Sequence, residues 1–427
     1  MLSSYRQVLR IPGLLPPLLA SLAGSLPIGM LGLSVLLLVR LHGQSFGAAG
    51  MIAGALSLGS GVGLVAQGAW MDRRGPSLVL AAAGLACAAS LAALVAVVAG
   101  GGPAWLTAAL AFAGGASVPG TPTAARALSA ELVADQRLRV TAYAMLAMAS
   151  TCAAILGPLL VSVLLARGAA AAVLVTAVLA AATGAAYALA PASRRQVPRV
   201  RAPRWRLRSL ATPGMRTLTV ASAANGAVLG MLGVAVPALA LARHTPALAG
   251  ELSAIAAAGD LAAGVIYCGR SWSLPLRACL VAALLALAAS CAALGAVLSC
   301  WDRPVGFGDI AAAAVGMAVF GAAEAVTGIT VTALIQHVAP HDARTESYAI
   351  IISAALAGTA AGNLAGGALA GGGIAGVRLV FLAAASGTVA AATWAASRQG
   401  TLSPPDGTFA GTSATGTTTG RGAGMKS

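Results

Sequence analysis

The most constraining feature of this sequence is a succession of twelve apolar runs, each about twenty residues long and almost free of charge. A helix of about 20 apolar residues is long enough to cross the hydrocarbon core of a bilayer. Charged residues are 9% of the chain, whereas soluble domains carry about 25%. Backbone groups in lipid must be paired within helices or closed barrels, and long runs without alternation favour helices. The sequence therefore predicts an all-α polytopic membrane protein.

The runs divide into two sets of six around one long polar, arginine-dense break, residues 191–214. We predict an N-terminal half (1–190), a linker (191–214), a C-terminal half (215–397) and a Gly/Ser/Thr-rich disordered tail (398–427). The predicted spans 1 to 12 cover residues 14–39, 46–68, 77–100, 104–126, 140–166, 169–190, 215–241, 247–268, 277–300, 308–334, 346–370 and 374–396.

The basic residues predict the orientation. If the N-terminus is cytoplasmic, 21 of the 26 Lys and Arg residues fall in cytoplasmic segments. Cytoplasmic loops are enriched in these residues, so we expect both termini inside and a location in the cell inner (plasma) membrane. The net charge of +15 is explained by this bias, and no aromatic-interleaved basic patch predicts a nucleic-acid partner. The five remaining basic residues are Arg40, Arg167, Arg243, Arg303 and Arg378.

An internal repeat relates the two halves. With an offset of 205 residues, the Arg, Tyr and Gly of 139–158 coincide with those of 344–363, and the residues between them are small and apolar in both. This similarity makes span 11 the counterpart of span 5. Because both begin on the same side, the halves are predicted to be parallel repeats. Chance similarity between two Ala-rich helices is the alternative.

The short charged stretch between spans 2 and 3, residues 68–76, carries a family resemblance. Its residues are Gly-Ala-Trp-Met-Asp-Arg-Arg-Gly-Pro. With the six-plus-six organisation and the basic linker, it resembles the major facilitator superfamily of secondary transporters, whose loop between spans 2 and 3 reads close to G-x-L-x-D-R-x-G-R. Gly68, Asp72, Arg73 and Gly75 stand at matching positions, while Pro76 replaces the last basic residue. The resemblance covers about residues 10–396 and is nearest to bacterial efflux members.

The resemblance implies that this stretch is a conformational gate. Gly68 would let two helices approach closely, and Asp72 would accept hydrogen bonds from the N-terminus of span 11 and latch the outward-open state. The alternative is a solvated, positively charged turn. The equivalent loop of the second half, residues 264–270, has Cys268 in place of the aspartate, so a second latch is expected to be weak or absent.

Two further features bear on the direction of transport. Gly157-Pro158 in span 5 resembles the glycine–proline element of exporters of this superfamily, although a simple helix kink is an equal alternative. Drug/proton antiporters of the superfamily usually carry an arginine within span 4, and residues 108–115 contain none. Arg126, at the cytoplasmic end of span 4, is interpreted as a side chain that snorkels to the surface.

Two acids lie deep in predicted spans. Asp260 in span 8 and Glu324 in span 10 have similar depth, and charges at such depth are costly and often functional. An apolar environment favours the protonated form of a carboxyl group, so the pair is a candidate proton or substrate site. The alternative is a structural pairing with an arginine or a helix end. Polar candidates nearby are Asn225, Asn363, Thr327 and Thr330.

These features predict a secondary active transporter that exports a small molecule, with protons as coupling ions. A nutrient importer or facilitator is the nearer alternative, and a non-transporting scaffold or sensor with the same fold is the other. Motifs for nucleotide binding or zinc catalysis are absent from the sequence, and the six cysteines have no metal-like spacing. We therefore expect no enzymatic activity, no cofactor and no metal, and a monomeric protein.

Overall fold

The structure is a computed structural model that describes residues 2–11, 14–133, 135–196, 212–270, 274–299, 307–339 and 344–402. These residues are almost entirely helical and contain no strand. The helices are α1 (Leu2–Leu9), α2 (Leu15–Leu41), α3 (Phe46–Arg74), α4 (Pro76–Ala99), α5 (Ala104–Ala116), α6 (Thr121–Leu132), α7 (Gln136–Leu165), α8 (Ala169–Leu189), α9 (Pro191–Arg194), α10 (Pro213–Ala242), α11 (Leu248–Gly269), α12 (Leu276–Ser299), α13 (Phe307–Val338), α14 (Arg344–Leu369) and α15 (Gly373–Ser397).

Twelve spans are confirmed, although one has an unexpected form. Ten segments of the described chain are long and apolar enough to cross a membrane. The last of these, Glu346–Ser397, contains both α14 and α15. Span 4 is broken into α5 and α6, neither of which is long enough alone. Each other predicted span corresponds to one helix.

Helix packing confirms the parallel repeat. Within the first half, α2 packs against α7 and α8, α3 against α5, and α4 against α8. The equivalent helices of the second half repeat each contact: α10 packs against α14 and α15, α11 against α13, and α12 against α15. Small residues line these contacts, because without a hydrophobic driving force helices in lipid associate by close packing.

The two halves meet along two equivalent seams, α3 against α14 and α7 against α11. We call the end of the bundle that carries α1 and the end of α3 the terminal face, and the opposite end the far face. At the first seam, a Cβ on Gly50 would lie 2.8 Å from the Cα of Gly367; at the second, a Cβ on Gly250 would lie 2.9 Å from the carbonyl carbon of Pro158. Both contacts belong to the far half of the bundle, and the two glycines are related by the repeat.

The bundle opens toward the terminal face. Further along α3, a Cβ on Gly61 would lie 3.4 Å from Leu356 of α14, in ordinary contact, and one on Gly68 would meet no atom within 4 Å. On α11, a Cβ on Gly264 would likewise meet nothing within 4 Å. The halves are therefore joined at the far face and separated at the terminal face.

Two predicted boundaries were wrong. Span 4 was predicted to be continuous over 104–126, but the chain leaves the helix at Ser117 and resumes it at Thr121. Proline lacks a backbone donor and its ring clashes with the preceding turn, which explains the break at Pro119. The charged turn predicted at 68–76 is mostly helix, since α3 continues to Arg74 and only Gly75 separates it from α4.

The start of the C-terminal tail is helical, contrary to the prediction. The tail was expected to be disordered from residue 398, but a 3-10 turn follows α15 and ends at Leu402, which is buried. Thr401 of this turn hydrogen-bonds Thr217 of α10 through their hydroxyls (3.1 Å). The rest of the tail, 403–427, and most of the predicted linker, 197–211, lie outside the described residues.

Candidate functional site

A buried pair of polar side chains lies in the second half. Asn225, near the middle of α10, donates from Nδ2 to Oε1 of Glu324, near the middle of α13 (2.8 Å). The other oxygens of the two groups, Asn225 Oδ1 and Glu324 Oε2, are buried and have no hydrogen-bond partner. A buried acceptor without a donor is costly, so this pair retains unused capacity to bind a proton or a donor group.

Asp260 lies near this pair. A Cβ on Gly321, one turn before Glu324, would lie 3.0 Å from the backbone N of Asp260, so α11 and α13 are in close contact at this level. Asp260 therefore lies about one helical turn from the level of Glu324. That the two acids form one proton or substrate site stays a prediction.

The neighbouring hydroxyls differ in availability. Thr327 Oγ1 donates to the carbonyl of Ala323 in its own helix (2.9 Å). Thr330 Oγ1 and, on α10, Ser222 Oγ are buried without a hydrogen-bond partner. Ser222 was not predicted; its spacing of three residues from Asn225 places the two on one helix face. In the described part of the chain, no cluster of three or more His, Cys, Asp or Glu side chains is arranged to bind a metal ion.

Asn363 lies at the seam between the halves instead of beside Glu324. Its Nδ2 donates to Ser57 Oγ of α3 (3.1 Å), and its side chain is buried. A Cβ on Gly233 of α10 would lie 3.5 Å from its Oδ1. The described hydrogen bond of Asn363 is therefore to the other half, and its role as a further polar candidate for the site stays a prediction.

A cavity of about 550 Å³ lies on the first-half side of the bundle. It is lined by α2, α3, α7 and the break in span 4, and Leu356 of α14 contributes from the other half. The polar lining residues are Ser25, Ser57, Ser60, Gln67, Thr123, Arg126 and Ser150. A volume of this size suits a small molecule.

Gln67 of α3 holds the break in span 4. Its Nε2 donates to the carbonyls of Ala116 (3.0 Å) and Val118 (2.8 Å), and its Oε1 accepts from the N–H of Gly120 (3.1 Å). The amide thus replaces the helical hydrogen bonds lost at Pro119. Irregular backbone is tolerated at membrane depth where the protein supplies such hydrogen-bond partners. Sequence reasoning missed Gln67; an isolated glutamine in an apolar span, with a later Pro-Gly pair, was the available signal.

The snorkelling interpretation of Arg126 stays a prediction. Its side chain is exposed, but it lines the cavity. Pro122, Thr123 and Arg126 line the same cavity, since they occupy one face of α6. Because span 4 is broken, α6 is a separate helix, and Arg126 is its sixth residue.

Gly157 and Pro158 lie where three helices meet. A Cβ on Gly157 would lie 2.7 Å from the carbonyl carbon of Gly29 in α2, so the glycine is needed for close packing. The carbonyl of Pro158 packs against Gly250 of α11. Nearby, Ser162 Oγ donates to the carbonyl of Ala247 across the seam (2.7 Å). Pro158 stands inside the continuous helix α7.

The predicted gate residues lie at the terminal end of α3. Gly68 and Asp72 line a pocket of about 260 Å³ together with residues of α6, including Glu131, and with Gln196. Arg73 is exposed. Gly75 has φ +81°, a backbone conformation that favours glycine, and Pro76 begins α4. In this conformation Asp72 faces α6, and Gly68 is not at a close helix contact. The side chain of Cys268 lies outside the described residues.

Comparisons with known proteins agree with this architecture. A sequence model described as Major Facilitator Superfamily matches residues 18–217. None of the curated proteins searched matches the sequence significantly.

The fold is shared with solved transporters over most of the chain. The nucleoside transporter NupG is 14% identical with a TM-score of 0.72, covering 91% of this chain and 99% of that one. The human organic anion transporter MFSD10 (TETRAN) is 17% identical, with a TM-score of 0.60, and covers 90% and 99%. A bacterial homologue of the human lysosomal transporter Spinster, inward-facing and unoccupied, is 14% identical with a TM-score of 0.65, covering 91% and 97%. The chain is thus similar to the Major Facilitator Superfamily in sequence over residues 18–217, and it shares the fold of these solved transporters over about nine tenths of its length.

Proposed function

We propose that this chain is a secondary active transporter that works by alternating access and exports a small molecule in exchange for protons. The observation that carries the proposal is the Asn225–Glu324 pair, whose two remaining oxygens are buried and unpaired. A carboxyl group that is protonated in one state and ionised in another couples proton movement to conformational change.

The orientation gives the direction of each step. The positive-inside bias makes the terminal face cytoplasmic, so the present conformation is the inward-facing one. In it, the substrate enters the cavity beside the break in span 4 from the cytoplasm. Rocking of the halves then separates Gly50 from Gly367 and closes the terminal face, where Asp72 meets the start of α14. Glu324 and Asp260 take up protons while they are accessible from outside and release them inside.

Export is favoured by the Gly157–Pro158 element, because its resemblance is to exporters and because the carbonyl of Pro158 contacts Gly250 across the seam, where the rocking motion must change the packing. The polar lining of the cavity also argues against a scaffold with a purely apolar centre.

Inside-out membrane vesicles test the coupling. With a respiratory proton gradient and a fluorescent pH probe, compounds from a susceptibility panel should release protons from vesicles that contain the wild-type protein. Glu324→Gln should abolish this release, because it removes the titratable group and preserves size. Asp309→Asn, which removes a carboxylate from the far end of the same helix, should retain it.

Two results would contradict the proposal. Proton release that survives Glu324→Gln would show that this carboxyl group is not the coupling site. Transport in proteoliposomes that is independent of the proton gradient, and intact in Glu324→Gln, would favour an importer or facilitator.

A further inference from the structure

We propose that the cavity beside the broken span 4 binds an organic anion, and that Arg126 is the residue that recognises its negative group. The inference rests on the proposed function, since it takes this cavity as the transport site and names the class of its substrate. It is argued from the charge of the cavity, from the donors available in it and from its apolar lining.

Arg126 gives the cavity its charge. Among the residues that line it, Arg126 is the one charged side chain, and neither aspartate nor glutamate lines it. Within the described chain, no hydrogen bond, ion pair or ring contact occupies the guanidinium. A guanidinium stays protonated under all ordinary conditions. Its positive charge in a confined cleft attracts anions, because low-dielectric walls focus the field.

Most of the other polar side chains of the cavity have already used their donors. The hydroxyls of Ser57, Ser60 and Ser150 donate to carbonyls of their own helices at distances of 3.0–3.1 Å. The amide of Gln67 is fully engaged with the break in span 4. The exception is the exposed hydroxyl of Thr123, which is a single neutral donor. Arg126 therefore supplies the charged donors, and its planar fork matches a carboxylate, sulfonate or phosphonate group.

The rest of the lining is apolar and indicates the body of the ligand. Ile28 and Leu31 contribute from α2, Leu56 and Leu64 from α3, and Leu356 from the opposite half. A polar inorganic ion would leave these side chains without a partner. The site thus fits an amphipathic molecule with one anionic group and an apolar body.

The break between α5 and α6 explains why Arg126 lines the cavity. In a continuous span, α6 would extend the axis of α5, whereas the turn at Ser117–Gly120 sets it as a separate segment whose Pro122, Thr123 and Arg126 line the cavity. Gln67 maintains that turn. Recognition of the anion and the break in span 4 are therefore linked.

Binding to the purified protein tests the inference with three probes of one shape: 1-naphthoate, the neutral 1-naphthamide and the cationic 1-naphthylmethylammonium. The naphthoate should bind most tightly. Arg126→Gln should weaken its binding about 10- to 100-fold, the range expected for a charge-assisted contact, and Arg126→Lys should restore part of it. Arg10→Gln, an exposed arginine after α1, should leave the affinity unchanged.

Three outcomes of this measurement would overturn the inference. They are equal affinity for the three probes, an unchanged naphthoate affinity in Arg126→Gln, and the absence of binding by naphthoate and by a panel of larger aromatic carboxylates and sulfonates.

A second measurement needs no ligand. A Ser150→Cys side chain in a background without native cysteines is labelled with anionic and cationic methanethiosulfonates of similar size. Ser150 and Arg126 line the same cavity, and a nearby unit charge attracts the anionic reagent and repels the cationic one, so Arg126→Gln should lower the anion-to-cation rate ratio. An unchanged ratio would contradict the electrostatic argument. Both readouts are independent of transport, so their failure is distinguishable from failure of proton-coupled export.

Discussion

The seam glycines of the far face provide the sharpest test of alternating access. In the present conformation a Cβ on Gly50 would lie 2.8 Å from the Cα of Gly367, and one on Gly250 would lie 2.9 Å from the carbonyl carbon of Pro158. The carbonyl oxygens of Asn363 and Pro158 lie closer still, and ordinary contacts are 3.4–4 Å, so an alanine at either position requires a shift of about an ångström. Since the contact joins two halves that are expected to separate, the strain can be relieved by opening the far face.

The magnitude follows from the cost of overpacking, about 1–3 kcal/mol. If this cost applies only to the state with a closed far face, Gly50→Ala should shift the conformational equilibrium about 5- to 150-fold. An outward-open state populated at about 5% would rise to about a third for a tenfold shift. Gly250→Ala should act in the same direction, because it lies on the equivalent seam.

Spin labels at His42 and Thr245, which are exposed on the far face in different halves, report the opening as a longer distance population. Gly61→Ala is the matched control, because its Cβ would be in ordinary contact with Leu356. Gly226→Ala, within the second half, should instead lower the melting temperature, since its Cβ would lie 2.8 Å from the carbonyl carbon of Ala355. A distance distribution in Gly50→Ala identical to that of Gly61→Ala would refute the reasoning.

Three further predictions concern single residues. Gln67→Leu should lower the melting temperature and abolish transport, because it leaves backbone groups of the broken span without hydrogen-bond partners, each at a free-energy cost of about 1–3 kcal/mol. A variant as stable as wild type would show that Gln67 does not hold the broken span. Asn363→Ala and Ser57→Ala should each increase the population with an open far face about fivefold, because each removes the hydrogen bond between the halves. The double variant should add little more, since both changes remove the same bond. Additive shifts would mean that this bond contributes nothing. Asp72→Asn should abolish transport in vesicles at unchanged expression, and undiminished transport would reject its assignment as a gate.

The sequence predicted the helices well because hydrophobic length is a strong local signal. α8 ends at Leu189 against a predicted 190, and α11 begins at Leu248 against a predicted 247. The offset of 205 residues predicted that spans 5 and 11 are equivalent, and they pack against equivalent helices, α2 and α10. Gly157 and Gly362, which the offset aligns, have the same packing role. A Cβ on Gly157 would contact the backbone of α2, and one on Gly362 would contact the backbone of α10.

The candidate site was less predictable, because it depends on which face of each helix points inward. The Ala-rich spans have little amphipathic contrast, so the sequence could not separate Asn363 at the seam from Asn225 beside Glu324. The high hydropathy of residues 104–126 concealed the break in span 4, and the isolated Gln67 did not reveal which backbone groups it would contact. Arg126 was interpreted as a snorkelling side chain because it lies at the cytoplasmic end of span 4, and its place in the cavity lining depends on how the helices pack.

The sequence by itself determined that this chain forms twelve membrane spans in two parallel repeats, and it indicated the orientation. The reason is that the length of an apolar run and the distribution of arginines are properties of the sequence alone, and they govern insertion into a bilayer. Only the tertiary structure decided which polar groups meet. The Asn225–Glu324 bond, the amide of Gln67 on the broken span and the charge of Arg126 in the cavity each join residues from different helices or from either side of a break. Such contacts depend on the rotation and depth of packed helices, which small residues at the seams set to within an ångström.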